Sequence, residues 1–125
     1  MSLRVVIRKK AGDFDGLADD ALALWKPRAI AAVTDVTEML YSEIQRELSH
    51  KRAQPSPQGQ PPREVTGRVR RSIKKIKTRA TKYKVRGGIR SRHPGIKRLE
   101  FVTHPFMRPV IFRLRGTIDR LFRDA

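Results

Sequence analysis

The sequence predicts an α+β domain: a small antiparallel sheet packed with a long helix in the N-terminal half and with a C-terminal helix. Three observations predict it. Short runs near the start and around residues 81–89 are β-branched or alternate apolar with charged side chains. Two other stretches carry apolar side chains at steps of three and four, the spacing of one helix face. Between these regions lies a segment too rich in proline for either kind of element. The order strand, helix, loop, two or three strands, helix is that of helices packed on an antiparallel sheet. At 125 residues the chain predicts one domain, 1–125. It is too short for two separate cores.

Leu3 to Arg8 (LRVVIR) reads as a strand, and Ala11 to Gly16 (AGDFDG) as turn chemistry. Leu17, Ala21, Leu22 and Leu24 predict a short helical turn, with Asp15, Asp19 and Asp20 near its start, where the helix dipole favours negative charge. Pro27 is placed to open a second, longer helix, Pro27 to Ser49. Its apolar face is Val33, Val36, Leu40, Ile44 and Leu48, following Ile30 and flanked by Met39 and Tyr41. The competing reading is one helix from about Leu17, kinked at Pro27.

Ala53 to Pro62 (AQPSPQGQPP) has four prolines and a glycine in ten residues, which remove donors and fix backbone angles. It predicts a mobile loop at about 51–63. Thr66 is a good N-cap for a helical turn from Gly67 to Ser72 that runs on into a strand. Thr81 to Ile89 alternates, with Tyr83 and Val85 on one face and Lys82, Lys84 and Arg86 on the other, as in a half-buried strand. Gly87-Gly88 predicts a turn or a bulge. Arg90 to Gly95 reads as a loop, and Leu99, Phe101 and Thr103 as a further strand. Pro105 to Pro109 turns into the last helix, whose stripe is Val110, Leu114, Ile118, Leu121 and Phe122, flanked by Phe106, Ile111 and Phe112.

The formal charge of +17 is uneven: residues 1–50 hold 7 Lys/Arg against 8 Asp/Glu, and residues 51–125 hold 22 against 4. Such asymmetry points to a polyanion or an acidic protein surface. The run Arg63 to Arg98 holds 15 Lys/Arg and one acid, Glu64. Within it Arg63, Arg68, Arg70, Arg71, Lys74 and Lys75 are the candidate contacts to a partner or to DNA. Single-strand stacking platforms need exposed aromatics among the charges, and the run offers only Tyr83, on the apolar face. No helix-turn-helix, zinc-finger or RRM signature is visible.

The chain has no cysteine and so no disulfide or thiolate metal site. His50, His93 and His104 lie in no metal-ligand spacing. Ser72 and Ser91 lack a triad signature, and Glu64 with Glu100 fits a salt bridge better than an acid–base pair. The expectation is a chain without catalytic residue, cofactor or metal. No apolar run approaches the ~20 residues that cross a bilayer, and no cleavable leader is visible, so the protein is expected to be soluble, intracellular and without a membrane partner.

Two ordered motifs carry a family resemblance. PPREVTGRVRRSI, Pro61 to Ile73, and LEFVTHPFMRPV, Leu99 to Val110, resemble the tail-completion or head–tail joining proteins of long-tailed phages and prophages. With the helix before the loop they cover nearly the whole chain. Val102 stands where that family commonly has glycine. The resemblance implies a virion structural protein of tail or neck, assembled in the host cytoplasm, that forms a ring with copies of itself, often a hexamer. It implies head–tail connector or tail-tube neighbours and DNA passing through the lumen. On this reading Thr66 and Gly67 set local backbone geometry, and Glu100, Phe101, Pro105, Phe106 and Pro109 shape the fold. The rival class is a nonspecific nucleic-acid-binding protein using the 63–98 surface.

Overall fold

The computed structural model describes residues 2–8, 18–49, 68–94, 96 and 106–123, with the backbone alone for 18–23. The elements run β1 (Ser2–Arg8), α1 (Ala18–Glu47), α2 (Arg68–Ser72), β2 (Lys74–Ala80), β3 (Lys84–Arg90) and α3 (Met107–Arg123). The strands form one antiparallel sheet in the order β1-β3-β2, with helices packed on it, so the fold is α+β. The expected strand at Leu99–Thr103, the loop at 51–63 and the cap Thr66 lie outside the described residues.

The strand period of two sorts the side chains of the sheet. Leu3, Val5 and Ile7 of β1 pair in register with Ile89, Gly87 and Val85 of β3, and all six share the face under the helices. α1 crosses that face, burying Trp25, Ala29, Ala32, Val33, Val36, Leu40 and Ile44, with Leu48 just beyond its end. α3 adds Met107 and Val110, and Ile73 and Ile96 close the ends of the core. Phe106, fully buried, leads into α3, and Pro109 sits in that helix's first turn, where a missing N–H costs nothing.

The helix does not begin at Pro27. α1 runs for 30 residues through the proline, so the single longer helix is the one adopted. An interior proline costs about 3 kcal/mol by losing one hydrogen bond and crowding the preceding turn. Trp25 and Ala29, buried on either side of Pro27, hold the chain in line against the core. They also shift the buried stripe: Ala29 faces inward, whereas Ile30 is exposed.

Gly87-Gly88 is neither turn nor bulge. Both residues lie within the central strand, and the irregular step falls on β2 between Ile76 and Arg79, across from Gly87. A β-carbon on Gly87 would stand 2.9 Å from Val33 Cγ1 and 3.1 Å from Thr37 Oγ1. The missing side chain is what lets α1 approach the sheet.

Polar ties fix the helices. The Gln45 side chain donates to the Arg70 carbonyl at 2.9 Å, joining α1 to α2. Arg113 of α3 spans Glu47 at 3.1 Å and Glu43 at 3.0 Å on α1. Hydrogen bonding to Glu47 first, with further attraction from both carboxylates, raises the guanidinium pKa above its ordinary value. The clamp is exposed, so Arg113→Gln should lower stability by only about 0.5–1 kcal/mol. Urea titrations at low and high salt check this, and the difference from the parent protein should shrink as salt screens it.

Candidate functional site: a cationic sheet face

The face of the sheet turned away from α1 follows from the same register. β1 contributes Ser2, Arg4, Val6 and Arg8; β3 contributes Lys84, Arg86, Gly88 and Arg90; β2 contributes Lys74, Ile76 and Arg79. Seven of these eleven residues are cationic. The three strands, SLRVVIR, KKIKTRA and KVRGGIR, contain no Asp or Glu. The apolar members Val6 and Ile76 are half-buried, and six of the seven cations are exposed, Lys84 being half-buried.

Register sets like charges directly opposite each other. Arg8 faces Lys84, Arg86 faces Arg79, and Arg90 faces Lys74. Directly opposed like charges destabilise a sheet, by a few tenths to about 1 kcal/mol a pair. Among the described residues no carboxylate pairs with any of the seven. The chain thus keeps three unfavourable pairs on one surface. Along β3, Lys84 and Arg86 stand two residues or roughly 6.8 Å apart, whereas Arg86 and Arg90, like Arg4 and Arg8 on β1, stand four residues or roughly 13.6 Å apart. Such an array of cations can meet a polyanion through its backbone charges, a chemistry that involves no base recognition. Among the described residues no aromatic side chain lies on the face, so they offer no platform for stacking unpaired bases.

Three acids of α1 are engaged elsewhere. Of its carboxylates with described side chains, Glu38 binds Lys75 at 2.8 Å, Glu43 and Glu47 bind Arg113, and Asp35 is exposed.

Of the contacts expected from sequence, the structure places Lys74 on the cationic face but turns Lys75 to the opposite side. There Lys75 holds Glu38 and lies 5.2 Å from the centre of the Tyr41 ring. The hydrogen bond to Glu38 is the main reason its pKa rises above the ordinary lysine value. Arg68, Arg70 and Arg71 belong to α2, beside the sheet; Arg70 is half-buried, the others exposed. Phe106 lies buried in the core, and Pro109 lies exposed in the first turn of α3. Arg63, Thr66, Gly67, Glu100, Phe101 and Pro105 lie outside the described residues. Arg4 and Arg8 belong to the face yet fall outside the 63–98 run. The signal for them is the alternation in LRVVIR, which becomes informative only once β1 is known to pair with β3.

One cluster was not legible as such in the sequence. Ser72 Oγ donates to the Val69 carbonyl at 2.5 Å and lies 2.8 Å from Ser91 Oγ. Because the Ser72 hydrogen is committed to Val69, the hydrogen between the two hydroxyls comes from Ser91. Ser91 Oγ also accepts the backbone N–H of His93 at 3.2 Å. Ser and His therefore meet, but through the histidine backbone and not its ring. Among the described residues no group of three or more His, Cys, Asp or Glu is placed to hold a metal ion, and no helix is long and apolar enough to cross a membrane.

No protein-family model matches the chain, and neither a curated protein nor a solved structure matches it.

Proposed function

We propose that the chain is a non-catalytic structural subunit of a phage- or prophage-type tail or neck, and that its cationic sheet face turns toward the DNA passing through the ring. The subunit assembles with copies of itself and with head–tail connector or tail-tube proteins, in the host cytoplasm and then in the virion. The observation that carries the DNA contact is the face of seven cations, with three like-charged pairs in register and no acid among the strands. A merely solvated surface intersperses both signs. The ring rests on the resemblance of Pro61–Ile73 and Leu99–Val110 to the tail-completion family. Engagement of Glu38, Glu43 and Glu47 within the subunit favours DNA over the acidic half of a neighbouring copy as partner of the face.

The second reading, nonspecific nucleic-acid binding by the single chain, draws on the same face. Sedimentation and negative-stain electron microscopy, alone and with a tail-tube partner, separate the two. The ring reading expects closed particles and weak, salt-sensitive duplex binding by any monomer that remains. Only monomers under every condition, with tight duplex binding, would replace it with the second reading.

A further inference from the structure

At the end of the sheet where Lys74 faces Arg90, the chain forms an open pocket of about 380 Å³ lined by Ser72, Lys74, Arg90, Arg92 and His93. We propose that this pocket is a seat for one phosphate group of a polynucleotide backbone. The proposal rests on the reading of the sheet face as a DNA contact, but not on the ring.

The backbone builds the pocket by alternation. Arg90 is exposed, Ser91 turns inward and is buried, and Arg92 is exposed again, so both guanidiniums return to the solvent side. Ser91 is pinned by the hydroxyl chain through Ser72 to the Val69 carbonyl, and the His93 N–H closes the turn on Ser91 Oγ. This network spends the hydroxyl hydrogens inside the wall. What the lining residues turn to a ligand are the cations Lys74, Arg90 and Arg92, beside the His93 imidazole. Among the described residues no carboxylate lines the pocket.

A phosphate group is a cluster of acceptor oxygens, and guanidinium forks meet it with charge-assisted, bidentate geometry. Among the described residues His93 Nδ1 is buried without a hydrogen-bond partner, an unsatisfied atom behind the wall and not a contact offered to the ligand. Lys74 and Arg90 belong to the pocket and to the cationic face at once, so a phosphate seated here is continuous with phosphates running along the sheet. That continuity selects a polynucleotide backbone over an isolated anion or an acidic peptide.

The test is an NMR titration of the full chain with three probes: inorganic phosphate, a short DNA duplex and a glutamate-rich peptide. Phosphate and duplex should both shift the Arg90 and Arg92 side-chain NεH and His93 ring resonances, the duplex at far lower concentration. Arg92→Gln should weaken duplex binding about tenfold, the ~1.4 kcal/mol of one charge-assisted contact. Arg28→Gln, the same charge change on exposed α1, should weaken it less than about twofold, as expected for a charge outside the footprint. Three results overturn the proposal: pocket resonances that stay still while the duplex binds, equal losses in the two variants, or a peptide that binds as tightly as the duplex. Ring assembly of Arg92→Gln, followed by electron microscopy, is expected to be unchanged. A pocket that fails in chains that still form rings therefore counts against the phosphate seat alone, and chains that form no rings while the pocket titrates count against the ring alone.

Discussion

Gly88→Ala is expected to lose the native fold, or to lower its stability by more than about 3 kcal/mol, a large share of the 5–15 kcal/mol typical of a domain. Gly88 has φ +130°, a conformation that L side chains rarely adopt. Its β-carbon would lie 2.0 Å from the Leu3 carbonyl oxygen. That oxygen is backbone of the neighbouring strand, so no rotamer change relieves the clash and β1 must separate from β3. β1 carries Arg4 and Arg8, so the cationic face is dismantled with it. Gly116→Ala is the matched control. Gly116 lies inside α3, and an added β-carbon meets nothing within 4 Å. There alanine should raise stability by roughly 0.5–1 kcal/mol through helix propensity. Circular dichroism and urea midpoints of the two variants give opposite signs on this account.

Arg86→Glu is expected to move stability and binding in opposite directions. Arg86 is exposed at the centre of the face, opposite Arg79 on one side and Val6 on the other. Reversal replaces a like-charged cross-strand pair by an opposite one, which should stabilise the isolated chain by a few tenths to about 1 kcal/mol. The same change removes one phosphate contact and adds repulsion. Duplex affinity at moderate salt should fall about tenfold or more, and the slope of log affinity against log salt should shallow by about 1 to 2. Urea titration reads the first effect and fluorescence anisotropy across a salt series the second. A residue needed only for folding would lose both together. A surface charge with no role would change neither affinity nor slope.

The helical parts of the fold were legible because their signal is local. Val33, Val36, Leu40, Ile44 and Leu48 mark one helix face without reference to any other element, and so do Val110, Leu114 and Ile118. Pro27 misleads because its cost is local while the compensation, burial of Trp25 and Ala29, is tertiary. Gly87-Gly88 has the composition of a turn. Its placement in mid-strand is set by the approach of Val33 and Thr37 on one side and the Leu3 carbonyl on the other. The site was half legible. The basic run was plain, but which of its charges share a face depends on the irregular step in β2 and on β3 lying between β1 and β2. Lys74 and Lys75 end on opposite sides by strand alternation alone, but Arg79 shares the face of Lys74 only through the irregular step, and Arg4 joins cations seventy or more residues away only through the pairing of β1 with β3. The pocket needed Ser72 to meet Ser91 across 19 residues, a contact that no spacing rule announces.

The most direct measurement of the central claim is an electron-microscopy density map of the assembled protein, resolved well enough to orient the sheet. The account predicts a closed ring whose lumen is lined by Arg4, Arg79, Arg86 and Arg90. A ring with that face turned outward, or buried against a neighbour's carboxylates, would contradict it.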